Sequence, residues 1–131
     1  MRVWWAVALG GALGALARWL VGEWVISWSG PTATFPWDTL IVNVVGCALI
    51  GFLAPVVMAR SVWISGFVIT GFLGGFTTYS AFAEEAFALA DRADAAGIVL
   101  AGVYVLVTIA TTAGAVAIGS RLSPGKRPAP L

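Results

Sequence analysis

The sequence predicts an all-α integral membrane protein with four transmembrane helices, the third of them broken in mid-membrane. Three observations carry that expectation. The chain of 131 residues is 60% hydrophobic and only 10% charged, with a mean hydropathy of +0.97, a balance foreign to water-soluble globules of this size. Four stretches carry no charge at all, Val3–Ala17, Leu40–Ala59, Ser61–Ala83 and Ala95–Ser120. Crossing the hydrocarbon core takes about 20 apolar residues, so the last three suffice alone and the first does once it runs past Arg18. Finally, the third stretch contains GFLGGFTTYSAF from Gly71 to Phe82. Gly-Gly and Thr-Thr weaken a helix at a depth where no water satisfies bared carbonyls; an ion is a partner that could.

Taken in order, the first helix is expected over about 3–28. A cleaved signal peptide is the weaker reading, because the apolar run continues through Leu20, Val21, Val25 and Ile26 without a small-residue cleavage pattern. Ser29–Pro31 and Pro36 mark a turn-rich loop, and Asp38 and Thr39 are candidate N-caps for a second helix over about 38–59. After a short turn at Arg60, Ser61 opens the third span, 61–90, with its break near 73–78. Glu84 and Glu85 then lead towards Asp91, Arg92 and Asp94, read as the span emerging at the surface. The fourth helix covers about 96–119. The Pro-rich segment SPGKRPAPL belongs to a tail, 121–131, expected to be disordered. All of this is one four-helix domain.

Composition also excludes function classes. A net charge of +1 offers nothing to nucleic acid. The lone Cys47 and the absence of His leave no internal disulfide and no metal-ligand or nucleophile–base arrangement, so the chain is expected not to be an enzyme. An even number of helices puts Arg2, Arg60, Arg121, Lys126 and Arg127 on one face, against Arg92 and, if counted, Arg18 on the other. By the positive-inside rule both termini are cytoplasmic, and the tryptophans sort the same way into belts, Trp4, Trp5 and Trp63 against Trp24, Trp28 and Trp37.

Polar groups inside the membrane are expensive and need reasons. Gly10, Gly14 and Arg18 share a face of the first helix; the glycines suit close helix approach, while Arg18 either snorkels or lines an aqueous vestibule and draws in anions. Glu23 reads as interfacial. Asn43 is the one amide side chain in the membrane runs, able to hold an anion or to tie helices together. Tyr104, Thr108 and Thr112, with Thr111 beside them, make a hydroxyl stripe on the fourth helix, although Thr can also satisfy itself on its own backbone.

Three motifs, GGALGALAR in the first helix, TLIVNVVGCALIG in the second and GFLGGFTTYSAF in the third, together resemble the Fluc (CrcB) family of fluoride channels from Gly10 to Thr112. The resemblance implies a passive, fluoride-selective channel of the cell membrane that lets cells shed fluoride accumulated when HF enters and ionises. It also implies an antiparallel dimer with two pores at the subunit interface and a structural, untransported sodium ion at its centre. By the same resemblance Gly74 and Thr77 supply the backbone carbonyls that hold sodium. Phe82 turns its positive ring edge to fluoride, and Tyr79 stands where the family usually has another phenylalanine. Asn43 and Ser80 donate hydrogen bonds along the path, Tyr104, Thr108 and Thr112 form a polar track, and Arg18 sits in the vestibule. Fixed donors of this kind can replace the water of a small, strongly hydrated anion.

The residues speak against two alternatives. A small multidrug-type cation/proton antiporter needs a carboxylate in the middle of the first helix, where Glu23 lies too near the end and Arg18 would repel a cation. A non-transporting membrane assembly protein would explain the glycines but not the broken helix. Dual insertion of one chain needs little charge bias between faces, so the partner subunit is either a second copy or an oppositely inserted relative.

Overall fold

A computed structural model describes residues 2–30, 34–92 and 94–124. Four helical spans, Val3–Ser29, Trp37–Val57, Val62–Ala90 and Ala95–Leu122, are each long and apolar enough to cross a membrane. Trp4, Trp5, Trp19, Leu20 and Leu106 are among the large side chains left more than half exposed, as befits helices that meet lipid rather than water.

The ends differ from expectation in ways that local chemistry explains. The first helix closes at Ser29, where Gly30 takes a left-handed φ of 85°, a conformation that costs glycine nothing. The second helix begins at Trp37 after Pro36, which caps it without a side-chain hydrogen bond; proline's fixed φ is already helical. Asp38 and Thr39, expected as caps, are therefore inside the first turn. At its other end this helix stops at Val57, ahead of the expected residue 59. Ser61 does cap the third span, accepting from the Ile64 amide at 3.3 Å. Asp94 caps the fourth helix, accepting from the Gly97 amide at 2.6 Å. That helix runs on to Leu122, so Arg121 and Leu122 are helical rather than tail. Gly119 does not end it, because it lies against the backbone of Ala48 and Phe52 in the second helix, and Arg121 complements the negative C-terminal dipole. Pro31 of the predicted loop and tail residues 125–131, with Lys126 and Arg127, lie outside the described residues.

Two glycine-lined seams organise the bundle. Gly51 and Gly119 bring the second and fourth helices into backbone contact, and Gly10, Gly11 and Gly14 do the same for the first helix and the third span. Small residues replace a hydrophobic driving force that lipid does not supply. A cluster of Leu40, Leu89, Ala101 and the fully buried Tyr104, with Phe35 and Phe82 against it, joins the second, third and fourth spans.

The third span is interrupted, but not at its glycines. Val62–Ser65 is α-helical, Gly66–Leu73 is π-helical and Gly74–Phe76 is α-helical again. Helix is lost only at residues 77–79, with Thr77 extended at φ −75°, ψ 155°, before Ser80–Ala90 resumes. Gly75 is spent on packing, since any Cβ there would strike the backbone of Gly11. At the break the hydroxyls of Thr77 and Thr78 bond backbone groups on either side of it.

Candidate functional site

At the break, Asn43 behaves as a substitute peptide. Its Nδ2 donates to the Thr78 carbonyl at 2.9 Å, and its Oδ1 accepts from the Thr78 amide at 2.8 Å. Asn43 is 6% exposed, so the second helix delivers one buried side-chain amide to both the N–H and the carbonyl of Thr78, which lack helical partners at the break. The flanking hydroxyls complete the repair. Thr77 returns both its amide and its Oγ1 to the Leu73 carbonyl, at 3.0 and 2.9 Å. Thr78 Oγ1 accepts from the Ala81 amide at 3.2 Å, capping the second half of the span, and sits 3.3 Å from Ser80 Oγ.

This repair bares the carbonyl of Gly74. The amide that a regular helix would aim at it, that of Thr78, is engaged by Asn43. Gly74 is exposed on the outside of the chain, with only the Ile69 carbonyl near its Cβ position. Among the described residues no group of three or more His, Cys, Asp or Glu is placed to hold a metal. The donors present at the break are neutral carbonyl and hydroxyl oxygens, which suit a hard, singly charged cation better than a transition metal.

An open groove of about 510 Å³ lies between the second, third and fourth spans, lined by Asn43, Thr77, Thr78, Tyr79, Phe82, Thr108 and Thr112, with Cys47, Val105 and Ile109. Phe82 is held by Tyr79 on one side, centroids 5.9 Å apart, and by Tyr104 on the other at 5.3 Å. Tyr79 itself is 80% exposed. Thr112 Oγ1 donates to the Thr108 carbonyl at 2.7 Å, and Thr111 Oγ1 to that of Val107 at 2.6 Å. Thr108 Oγ1 is buried without a hydrogen-bond partner, an orphan that a ligand would satisfy. Ser80 lies beside the groove, exposed, rather than in its lining.

Tyr104 departs from its expected place in the polar track. Its ring is wholly buried behind Phe82, and its hydroxyl donates away from the groove, to Glu85 Oε2 at 2.7 Å. The other oxygen, Glu85 Oε1, accepts from Thr39 Oγ1 at 2.7 Å. Glu85 is thus not a surface residue at a helix end but a half-buried carboxylate tying three spans together. Its spacing from Phe82, three residues along one helix, was the signal that both face inward.

Glu85 borders a second cavity, of about 320 Å³, together with Arg18, Glu23, Asp38, Thr39 and Thr78. Arg18 is half-buried in its wall, one helix away from the break. Thr78 lines both spaces. A line of polar groups therefore leads from Arg18, past Thr78 and its clamp on Asn43, to Thr108 and Thr112.

The sequence is similar to those of known proteins. The family model described as "CrcB-like protein, Camphor Resistance (CrcB)" matches residues 5–120. The chain is 46% identical over 116 residues to the fluoride-specific ion channel FluC of Rhizobium leguminosarum bv. trifolii, covering 86% of this chain and 89% of that one. It is 45% identical over 116 residues to FluC of Rhizobium etli, with the same 86% and 89% coverage. With FluC of Agrobacterium fabrum it shares 42% over 119 residues, 88% of this chain and 91% of the relative. With a family match across almost all of its length and relatives this similar end to end, the chain belongs to the CrcB family.

Proposed function

We propose that this chain is a fluoride-specific ion channel that lets fluoride leave the cytoplasm passively and so lowers its toxicity. The observation that carries the reading is the groove at the broken helix, where Asn43, Phe82, Thr108 and Thr112 converge, in a chain 46% identical over 116 residues to a channel named for fluoride. Fluoride is small and strongly hydrated, so its passage requires amide, hydroxyl and ring-edge hydrogens held in place of water. Asn43 keeps one Nδ2 hydrogen beyond the one given to Thr78, and the unpartnered Thr108 hydroxyl is a second donor. The cavity at Arg18 offers an entry where the guanidinium faces an anion from a wall that also carries Glu23, Asp38 and Glu85.

Sodium is the structural ion of this reading, held by the carbonyls of Gly74 and Thr77. Two such pairs come together when a second subunit packs in antiparallel orientation on the exposed face around Gly74 and Tyr79, closing a groove that one protomer leaves open. Five Lys/Arg on the face of the termini against one or two on the other favour fixed insertion with both termini cytoplasmic. An oppositely inserted relative is then the natural partner, and a dual-topology homodimer the alternative.

The test is flux from liposomes. Purified protein reconstituted with internal fluoride should release it on addition of a potassium ionophore, and vesicles loaded with chloride should stay full. Chloride release as fast as fluoride release, or none of either, defeats the reading.

A further inference from the structure

The third span reaches its break through the π-helical stretch Gly66–Leu73, a feature the channel reading does not use. A π turn closes its hydrogen bonds over five residues where an α turn uses four, so the span carries one residue more than an α-helix of equal height. The surplus is visible at Gly74, whose amide bonds to the carbonyls of Ile69 and Gly71 and passes over Thr70 between them. Thr70 is exposed.

The glycines are spaced to match. Gly66, Gly71 and Gly75 are five and then four residues apart, and all three face the first helix. A Cβ at Gly66 would meet Val3 and Val7 side chains, one at Gly71 the Val7 carbonyl and Gly10 Cα, and one at Gly75 the backbone of Gly11. On an α-helix a side returns every ~3.6 residues, so an interval of five keeps one face only across a π turn. From the other side, Gly10 lies over the Phe67 carbonyl and the Phe72 amide, a pair with the five-residue separation that a π turn joins. Without the surplus, everything after Thr70 would rotate by about 100°. Gly74 would replace Gly75 against Gly11, and Thr78 would turn away from Asn43.

We propose that this π turn is a register device: its surplus residue at Thr70 seats Gly71 and Gly75 on the first helix and thereby presents Thr78 to Asn43 at the break. Gly10, Gly71 and Gly75 are then positioning residues for the pathway. The proposal rests on the channel reading for one of its readouts only, since assembly and thermal unfolding are measured apart from flux.

Deletion of Thr70 is the decisive variant. It removes the surplus, leaves the three glycines four and four apart and lets the span run as an α-helix with both ends in place. It should elute from a sizing column and unfold as the parent does, and carry fluoride within about threefold of it, as for a change that loses no native contact. Insertion of one Ala after Ile69, and deletion of Ile109 from the regular fourth helix, should each cost at least about tenfold in flux, the factor carried by ~1.4 kcal/mol of barrier, and lower the unfolding midpoint. A Thr70 deletion that fails to assemble, or that assembles and carries no fluoride, overturns the register device. Equal tolerance of the Ile109 deletion overturns it as well. Should the parent itself pass no fluoride, the channel reading falls, and the unfolding midpoints of the three variants still decide this one.

Discussion

Asn43 and Thr78 exchange two hydrogen bonds, of 2.9 and 2.8 Å, across the interface between the second helix and the break in the third. Each replaces a bond that the helical ladder cannot make. Asn43→Ala strips a partner from both the amide and the carbonyl of Thr78, at about 1–3 kcal/mol for each buried group left unsatisfied. The variant should unfold at lower temperature and lose fluoride flux. Asn43→Asp keeps the acceptor but loses the donor and adds a negative charge in the groove, so it should also abolish flux. Near-parental flux from either would mean that the clamp is dispensable.

Phe82 and Tyr79 meet at 5.9 Å on the wall of the groove, yet their substitutions should diverge. Phe82→Ile retains bulk and apolarity and removes the quadrupole whose positive edge favours an anion. Flux should fall sharply while the protein still elutes as an assembled species. Tyr79→Phe removes only a hydroxyl from a residue that is 80% exposed in the single chain, and should leave the channel active. Parental flux from Phe82→Ile would assign Phe82 to packing alone.

Sodium dependence separates a structural ion from a transported one. Long exchange into sodium-free buffer should reduce fluoride flux, and readdition of sodium should restore it. Thr77→Ser should be mild, because the proposed ligand is the backbone carbonyl and serine retains the hydroxyl that bonds the Leu73 carbonyl. A sodium flux that matches fluoride ion for ion would contradict a fixed site.

Glu85 spends its two oxygens on Thr39 and Tyr104, at 2.7 Å each. Tyr104→Phe removes one of these donors from a half-buried carboxylate, and hydrogen bonds to charged groups are worth about 1.5–3 kcal/mol. A fall in the unfolding midpoint is expected. Glu85→Gln keeps the shape and one acceptor, so it should destabilise less than Glu85→Ala. A double-mutant cycle between Thr39→Val and Tyr104→Phe should show coupling, since both report on one carboxylate; strict additivity would mean that they act separately.

Orientation can be read directly. A tag placed after Leu131 should be labelled only after permeabilisation if the charge bias of five against one or two sets insertion. Expressed alone, a chain so inserted should carry little fluoride until its oppositely inserted relative is supplied. Labelling from both sides of intact cells, with full flux from the single chain, would establish a dual-topology homodimer instead.

Hydropathy determines how many times this chain crosses a membrane, because crossing depends on a local run of apolar residues and not on what the run touches. For the same reason the four spans, the opening of the third at Ser61 and the family motifs were all legible in the residues themselves. Tertiary structure decided the rest. Asn43 finds Thr78 across 35 residues, Glu85 finds Thr39 across 46 and Tyr104 across 19, and no local pattern states which helix faces which. Sequence therefore put Glu85 at the surface and the Tyr104 hydroxyl in the path, whereas helix pairing turns both into one buried network. The break shows the same division. Gly74 and Gly75 looked like its cause because glycine weakens a helix anywhere. Only the approach of Gly11 shows that Gly75 serves a seam, and only Asn43 makes it affordable for the chain to open at Thr77, Thr78 and Tyr79.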